Sequence, residues 1–471
     1  MKGQEFFFYD LETSGLVPRF DRIMQFAGQR AVVDFEAGTV EKVGEPVNLL
    51  VKMTEDALPS PSAINVTGIT PQATLMDGVS EAEFCRYVME EVFTPGTVAL
   101  GYNTVRFDDE FMRAILWRNF YDPYEWEWKD GRSRWDMLDV VRTCRALRPE
   151  GIEWPVTPEG KATNRLELLT KCNGLSHEHA HDALSDVYAT MAVMEMLMTK
   201  QPELVRYLYS VRGKRDVAKY VSMANPRPVV YVSGRYSAEF DKATVVVPIA
   251  ATENGNVLVY DLRYHPEELV REVEEYARAV EAGVAEGERP GRKIFYPQVK
   301  ELCVNKCPAV APLGVLEKAD GWEKLKLSRE VVEKNWRAVR ENAGLIAQMI
   351  QRTLEKPEYT PACEPEAALY DGFLSDADRV KVAAVRNADG NKLADFHPDF
   401  IDERLPELLL HYKGRNFPES LDAQEMEKWE AYRRARLERQ APKFLAELAK
   451  VEDDFVRDEL LLYYQSLGES E

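Results

Sequence analysis

The chain has no apolar run long enough to cross a bilayer, and its first residues do not follow the basic-then-apolar layout of a secretory signal, because Asp10 and Glu12 interrupt the early hydrophobic stretch. A soluble, cytoplasmic protein with no membrane partner is expected. Cysteine is scarce, with six in 471 residues. Only Cys303 and Cys307 stand close together, and with no second pair or histidine beside them they make a poor zinc site, so reduced thiols are expected. Internal repeats and low-complexity tails are missing too. Basic residues are in deficit, 60 Lys and Arg against 80 Asp and Glu, for a net charge of −20. That average argues against a nucleic-acid binder, but binding depends on local fields. Basic clusters do stand at 132–134, 211–216, 289–293 and 433–439, each read first as a solvated helix face or turn. Composition leaves the partner class open.

What is present suggests about three domains from length alone, with 45% hydrophobic residues to build their cores. Residues 1–202 alternate strand and helix patterns: strands over 5–11, 22–34 and 97–101, helices over 80–92, 107–120, 136–147, 164–172 and 182–199. Residues 203–355 carry short β-type runs such as "PVVYVSG", "ATVVVPIA" and "NVLVYDL", separated by Gly, Asn and Asp, and read as a small β-rich unit with helices after it. "EKPEYTPACEPEAA", with three prolines, reads as a linker, and the remainder of 356–471 as helical.

The chemistry is concentrated in acids. In "FFFYDLETSGL", four consecutive aromatics, Phe6 to Tyr9, suit a central strand buried on both faces. Either the strand ends at Tyr9 and the acids lie in a solvated turn, or Asp10 and Glu12 follow on one of its faces, where they repel unless a proton or a metal separates them. Asp108, Asp109 and Glu110 open a helix whose apolar face is Phe107, Phe111 and Ile115. Acids suit a helix start in any case, and helical phase does not choose between Asp108 and Asp109. A later helix starts near Asp182, a suitable N-cap, and places Asp186 on a stripe of small residues with no Lys or Arg within a turn. His181 comes from the loop before it. Together these form the constellation of a two-metal nuclease: converging carboxylates hold two divalent ions about 3.5–4 Å apart, and the histidine takes a proton from the attacking water. An all-oxygen set suits Mg²⁺.

These residues resemble the DEDDh exonuclease family: "DLET", then Asn103-x3-Phe107-Asp108, then His181-x4-Asp186. The family pattern selects Asp108 over Asp109. Within it, "GYNTVRFDDE", "SRWDMLDVVR", "ALRPEGIEWP", "GFLSDADR", "VNKCP" and "HYKGRNFP" resemble the bacterial exonuclease I family along essentially the whole chain. The resemblance implies an α/β, RNase H-like exonuclease domain (1–202), an SH3-like β-barrel (203–355) and an all-helical C-terminal domain (356–471). It implies processive 3′-to-5′ degradation of single-stranded DNA to 5′-mononucleotides in repair and recombination, with Asp10, Glu12, Asp108 and Asp186 on two Mg²⁺ ions (Mn²⁺ able to substitute) and His181 as general base. Arg142, Arg165 and Arg227 match strand-contact positions, and Tyr124, Trp126 and Trp128 offer stacking faces or pack under a neighbouring helix. Arg148, Tyr207 and Arg340 match positions that dock the C-terminal tail of single-stranded DNA-binding protein. Glu317 departs from the pattern, standing where an Arg is expected and opposing an acidic tail. A monomer is implied. An RNA-trimming or proofreading relative and an inactive binding module are the competing readings; the first does not need the extra 270 or so residues, and the second needs a lost ligand.

Overall fold

The first strand, β1 (Gln4–Thr13), runs straight through both acids rather than ending at Tyr9. Its alternation divides the core. Phe6 and Phe8 pack on one side of the sheet with Trp135, Val187 and Met194, and Phe7, Tyr9 and Leu11 pack on the other with Phe84, Phe111 and Ile115. The computed structural model describes residues 3–177, 182–285, 298–344, 346, 362–388 and 390–468.

In the first unit β1 lies at the centre of a mixed six-stranded sheet. It pairs antiparallel with β2 (Ile23–Asp34), which carries β3 (Thr39–Lys42) and β4 (Val47–Leu50) on its far edge. On its other side β1 pairs parallel with β5 (Val98–Gly101), and β5 with β6 (Ser133–Asp136). The expected strands and helices are present within a few residues: Asp108–Arg118, Met137–Leu147, Leu166–Cys172 and Ala183–Lys200 are helical. The helix expected over 80–92 is Glu81–Tyr87 continued by a π-turn over Val88–Val92, with Ser80 and Glu83 forming a reciprocal cap. β3, β4 and β6 were not anticipated, each being four residues long, too short for a periodic signal.

The second unit is a five-stranded antiparallel sheet in the order β10-β9-β8-β7-β11, from β7 (Val229–Val232), β8 (Ala243–Ala251), β9 (Val257–Asp261), β10 (Val299–Leu302) and β11 (Ala309–Pro312). The helix Pro202–Ser210 precedes it and packs on the first core, with the Tyr209 ring 4.6 Å from that of Phe35. The third unit is helical, including Asp376–Asn387, Arg404–Asn416, Ala423–Leu448 and Asp454–Gly468. It docks on the first through Leu405, Leu408 and Tyr412 against Trp117 and Phe120. Among the described residues no helix is long and apolar enough to cross a membrane.

Two readings of the sequence are corrected. The described part of the Pro-rich segment is not a linker: Pro365–Tyr370 forms a 3-10 turn in which Pro365 to Leu369 are buried. "RRARLER" is a solvated face only in part: Arg434 and Arg439 are exposed, but Arg433 and Arg436 are buried. The reason is common to both. Asp56 and Glu366, fully buried, are matched by Arg22, Arg415 and Arg436: Arg415 reaches each carboxylate at 2.7 Å, Arg22 reaches Asp56 at 2.9 Å, and Arg436 also pairs with Glu366. Charges on three distant segments neutralise one another at the joint, so charge alone does not place them on the surface. The 289–293 cluster lies outside the described residues.

Candidate active site

The even-numbered face of β1 that buries Phe6 and Phe8 also carries Asp10 and Glu12, and the helix Ala183–Lys200 packs across it. Asp182 caps that helix, accepting from Ser185 N–H at 3.1 Å, and sets Asp186 in its first turn. Ligand oxygens of Asp10, Glu12 and Asp186 lie within 4.8 Å of one another.

Asp108 approaches them from the start of the helix Asp108–Arg118, which follows β5. The pairing of β1 with β5 ends at Phe8 and Leu100, after which Leu11 N–H donates to Asp108 Oδ1 at 3.1 Å. The carboxylate takes the place of the missing sheet partner. The loop leading to it is held by Asp136, which accepts from Asn103 N–H (3.0 Å), Val105 N–H (3.2 Å) and Leu138 N–H (2.9 Å). Asn103 adopts φ 73°, a conformation Asn tolerates better than most residues. Asp109 turns the other way, accepting from the Tyr9 hydroxyl and paired with Arg134. The geometry thus separates the two acids that helical phase left equivalent.

Burial and mutual repulsion push these carboxyls upward. Glu12 is raised to about 8 by desolvation, then by Asp186 and Asp108. Asp108 is raised to about 8 by desolvation, then by Asp109. Asp10 lies well above its usual range, by desolvation, then by Asp108, Asp186 and Glu12. No cation is among the main influences on Asp10 or Glu12, so the cluster is a concentration of negative charge that a hard divalent ion would neutralise. The donor set therefore fits a hard divalent cation.

His181 lies outside the described residues. His177, which the sequence reading did not single out, sits with Nε2 2.5 Å from Asp186 Oδ1 and Nδ1 3.1 Å from Thr170 Oγ1. Its only signal was a place in the same histidine-rich loop. Asp136 was also missed, although an Asp directly before a helix is an N-cap signal.

A cleft of about 730 Å³ reaches Glu12 from outside. Leu11, Thr13, Leu16 and Phe107 line one wall, and Arg436, Arg439 and Lys443 of the helix Ala423–Leu448 the other. The aromatics of "YDPYEWEW" separate by burial. Trp126 is 1% exposed, its ring 4.9 Å from Phe93 and its Nε1 donating to Pro123 O, so it is core and offers no stacking face. Trp128 is 65% exposed. Tyr124 is half-buried beside Arg113, on a cleft shared with Phe373 and Arg379 of the third unit. Arg165 and Arg227 are exposed; Arg142 is largely covered and pairs with Asp139 at 2.8 Å.

Arg148 and Tyr207 line one hollow of about 230 Å³ with Lys318. Arg340 is exposed, over the Trp336 ring, and does not line it. Glu317 is held by Arg329 and by Trp322 Nε1 at 3.0 Å, which offsets part of the repulsion expected of it.

Family profiles match the chain in the same order as its three units: "Exonuclease" over residues 7–194, "Exonuclease I SH3-like domain" over 212–356 and "Exonuclease I C-terminal domain" over 363–462. The chain is 38% identical to exodeoxyribonuclease I of Haemophilus influenzae over 96% of its length and 94% of the relative's, and 39% identical to that of Escherichia coli over 91% and 89%. A crystal structure of E. coli exonuclease I with a dA16 oligonucleotide superposes with a TM-score of 0.88 at 36% identity, covering 99% of both chains. A zinc-bound E. coli complex with single-stranded DNA and an SSB/exonuclease I structure with an inhibitor, each 35% identical over 99% of both chains, give TM-scores of 0.86 and 0.84. With a mixed-sheet exonuclease unit, a converging acidic site and relatives that match nearly end to end, this chain belongs to the exonuclease I family and is an exodeoxyribonuclease.

Proposed function

We propose that the chain degrades single-stranded DNA processively from the 3′ end, releasing 5′-mononucleotides, in DNA repair and recombination. The observation that carries this is the convergence of Asp10, Glu12 and Asp186 within 4.8 Å on a strand and helix beside an open cleft. The oligonucleotide and zinc-ion complexes of the E. coli relative support both the strand and the cation.

Asp10, Glu12, Asp108 and Asp186 would hold two Mg²⁺ ions, with Mn²⁺ able to replace them. When bound, such ions offset charge developing at phosphorus and ease ionisation of the attacking water. Asp108, held by Leu11 N–H, keeps one orientation. His181 takes the proton from the water, an assignment resting on its spacing to Asp186. The 3′-terminal nucleotide occupies the cleft at Glu12, where Leu16 and Phe107 give an apolar surface for a base. Arg142, Arg165 and Arg227 contact phosphates, and Tyr124 and Trp128 stack on bases. An acidic exterior around a basic route confines the strand to that route. The acidic C-terminal tail of single-stranded DNA-binding protein docks in the hollow of Arg148 and Tyr207, with the exposed Arg340 assigned to the same tail by its match to the family pattern, and the enzyme works as a monomer.

The test is degradation of a 5′-labelled single-stranded oligonucleotide with Mg²⁺ or EDTA, beside the matching duplex and RNA. A ladder shortening from the 3′ end, dependent on metal and absent with duplex, is expected. Tight strand binding without cleavage by folded protein would sink the reading.

A further inference from the structure

We propose that Glu110 is a positioning residue at which the three units of the chain are clasped together, and that this clasp keeps the strand enclosed between successive cuts. The inference rests on the exonuclease reading above and deepens it.

The helix Asp108–Arg118 opens on three acids that face three ways. Asp108 turns to the metal-binding cluster and Asp109 to Tyr9 and Arg134, while Glu110 is directed at the joint between units. Glu110 Oε1 accepts from Arg113 Nη1 of its own helix (2.8 Å) and from Lys306 Nζ of the middle unit (3.0 Å). Its Oε2 accepts from the Tyr370 hydroxyl of the C-terminal unit. One carboxylate therefore receives a donor from each of the three units.

Both arms are built rather than incidental. Lys306 is the middle of three consecutive residues that dock on the first unit, Lys306 on Glu110 and its two neighbours on Arg134 of β6. Arg134, the cation that holds Asp109, donates through Nη2 to Asn305 O (2.8 Å), and Cys307 Sγ donates to Arg134 O (3.4 Å). From the other side, Tyr370 ends the buried turn Pro365–Tyr370. The Pro365 carbonyl accepts from Trp117 Nε1 of the Asp108–Arg118 helix at 2.9 Å, and the Arg19 guanidinium lies 5.3 Å over the Tyr370 ring. Both outer units thus reach the residues directly following Asp108.

The contacts at Glu110 itself are partly wet. The Glu110 and Lys306 side chains are 20% and 34% exposed, so water replaces their bond at little cost, unlike the fully buried Asp56 and Glu366 cluster. Individually weak, these contacts act together because they share one carboxylate.

The experiment uses Lys306→Met and Tyr370→Phe in the full chain. Two quantities are read: single-turnover cleavage of the terminal bond of a short oligonucleotide, and run length on a long labelled strand with unlabelled competitor DNA. Terminal-bond cleavage should stay within about twofold, while run length falls about fivefold in each variant and Lys306→Arg restores it. Wild-type run length in both variants overturns the inference. So does an equal loss of both quantities tracking a lower Tm, which would make the contact merely structural. If the wild-type chain shortens no strand, the exonuclease reading fails instead.

Discussion

Nε2 of His177 lies 2.5 Å from Oδ1 of Asp186, nine positions further along the chain. Thr170 Oγ1, 3.1 Å from the other ring nitrogen, holds the imidazole from behind. His177 therefore orients a carboxylate of the cluster, whereas His181 is assigned the proton. The two should differ in effect: His181→Asn lowers kcat by about 10²-fold or more, and His177→Asn by about tenfold or less. Steady-state cleavage distinguishes them, and the reverse order would transfer the base role to His177.

Raised carboxyls make stability depend on pH and metal. Glu12 goes from 4.5 to about 8 on folding, so the folded chain holds a proton that the unfolded chain has released. Without metal, the contribution of Glu12 to stability is therefore fullest below 4.5 and declines as pH rises toward 8. Mg²⁺ should raise Tm more at pH 8 than at pH 5, pH values about that range. Glu12→Gln should raise Tm in EDTA at the higher pH, shrink the Mg²⁺ gain and abolish cleavage. A Tm in EDTA that is flat with pH would contradict this.

The joint between the first and third units depends on Asp56, which Arg415, Arg22 and Arg436 hold well below the usual carboxylate range despite its burial. Asp56→Asn leaves buried guanidinium groups short of a counter-charge and should cost about 3–5 kcal/mol, read from the denaturant midpoint. Glu81, lowered to about 2, and Asp56 stabilise the fold when ionised, so this contribution is lost as pH falls below the ordinary carboxylate range.

Trp128 and Trp126 give opposite outcomes. Trp128→Ala should weaken single-strand binding by about 1–3 kcal/mol with little change in Tm. Trp126→Ala should destabilise the fold by about 3–5 kcal/mol. Fluorescence anisotropy and thermal melts on both variants check the pair.

Charge at the Arg148 hollow should set the affinity for an acidic tail. Arg148→Ala should weaken binding of an acidic C-terminal peptide from single-stranded DNA-binding protein, and Glu317→Arg should tighten it, each by about 1 kcal/mol. Peptide anisotropy at low and high salt reads both, and an unchanged affinity in Arg148→Ala would place the tail elsewhere.

Much of this protein was legible along the chain. Four aromatics followed by acids two residues apart point to a doubly buried strand and, once the strand continues past Tyr9, put Asp10 and Glu12 on one face, because side-chain alternation is a local property. Helix starts at Asp108 and Asp182 were equally local, set by apolar spacing and capping. The motif spacing carried the resemblance to the exonuclease I family.

Other features depend on partners far away in sequence. Asp109 turns from the site because Tyr9 and Arg134, 100 and 25 positions distant, claim it. A charged stretch around Arg436 and a Pro-rich segment at Glu366 became buried structure because Asp56 and Arg22 complete their charges more than 300 residues away. Periodicity reports which face of an element is apolar. Which groups meet across a joint follows only from how whole units dock, and in this protein that docking decides where Asp109, Glu110 and Arg436 point.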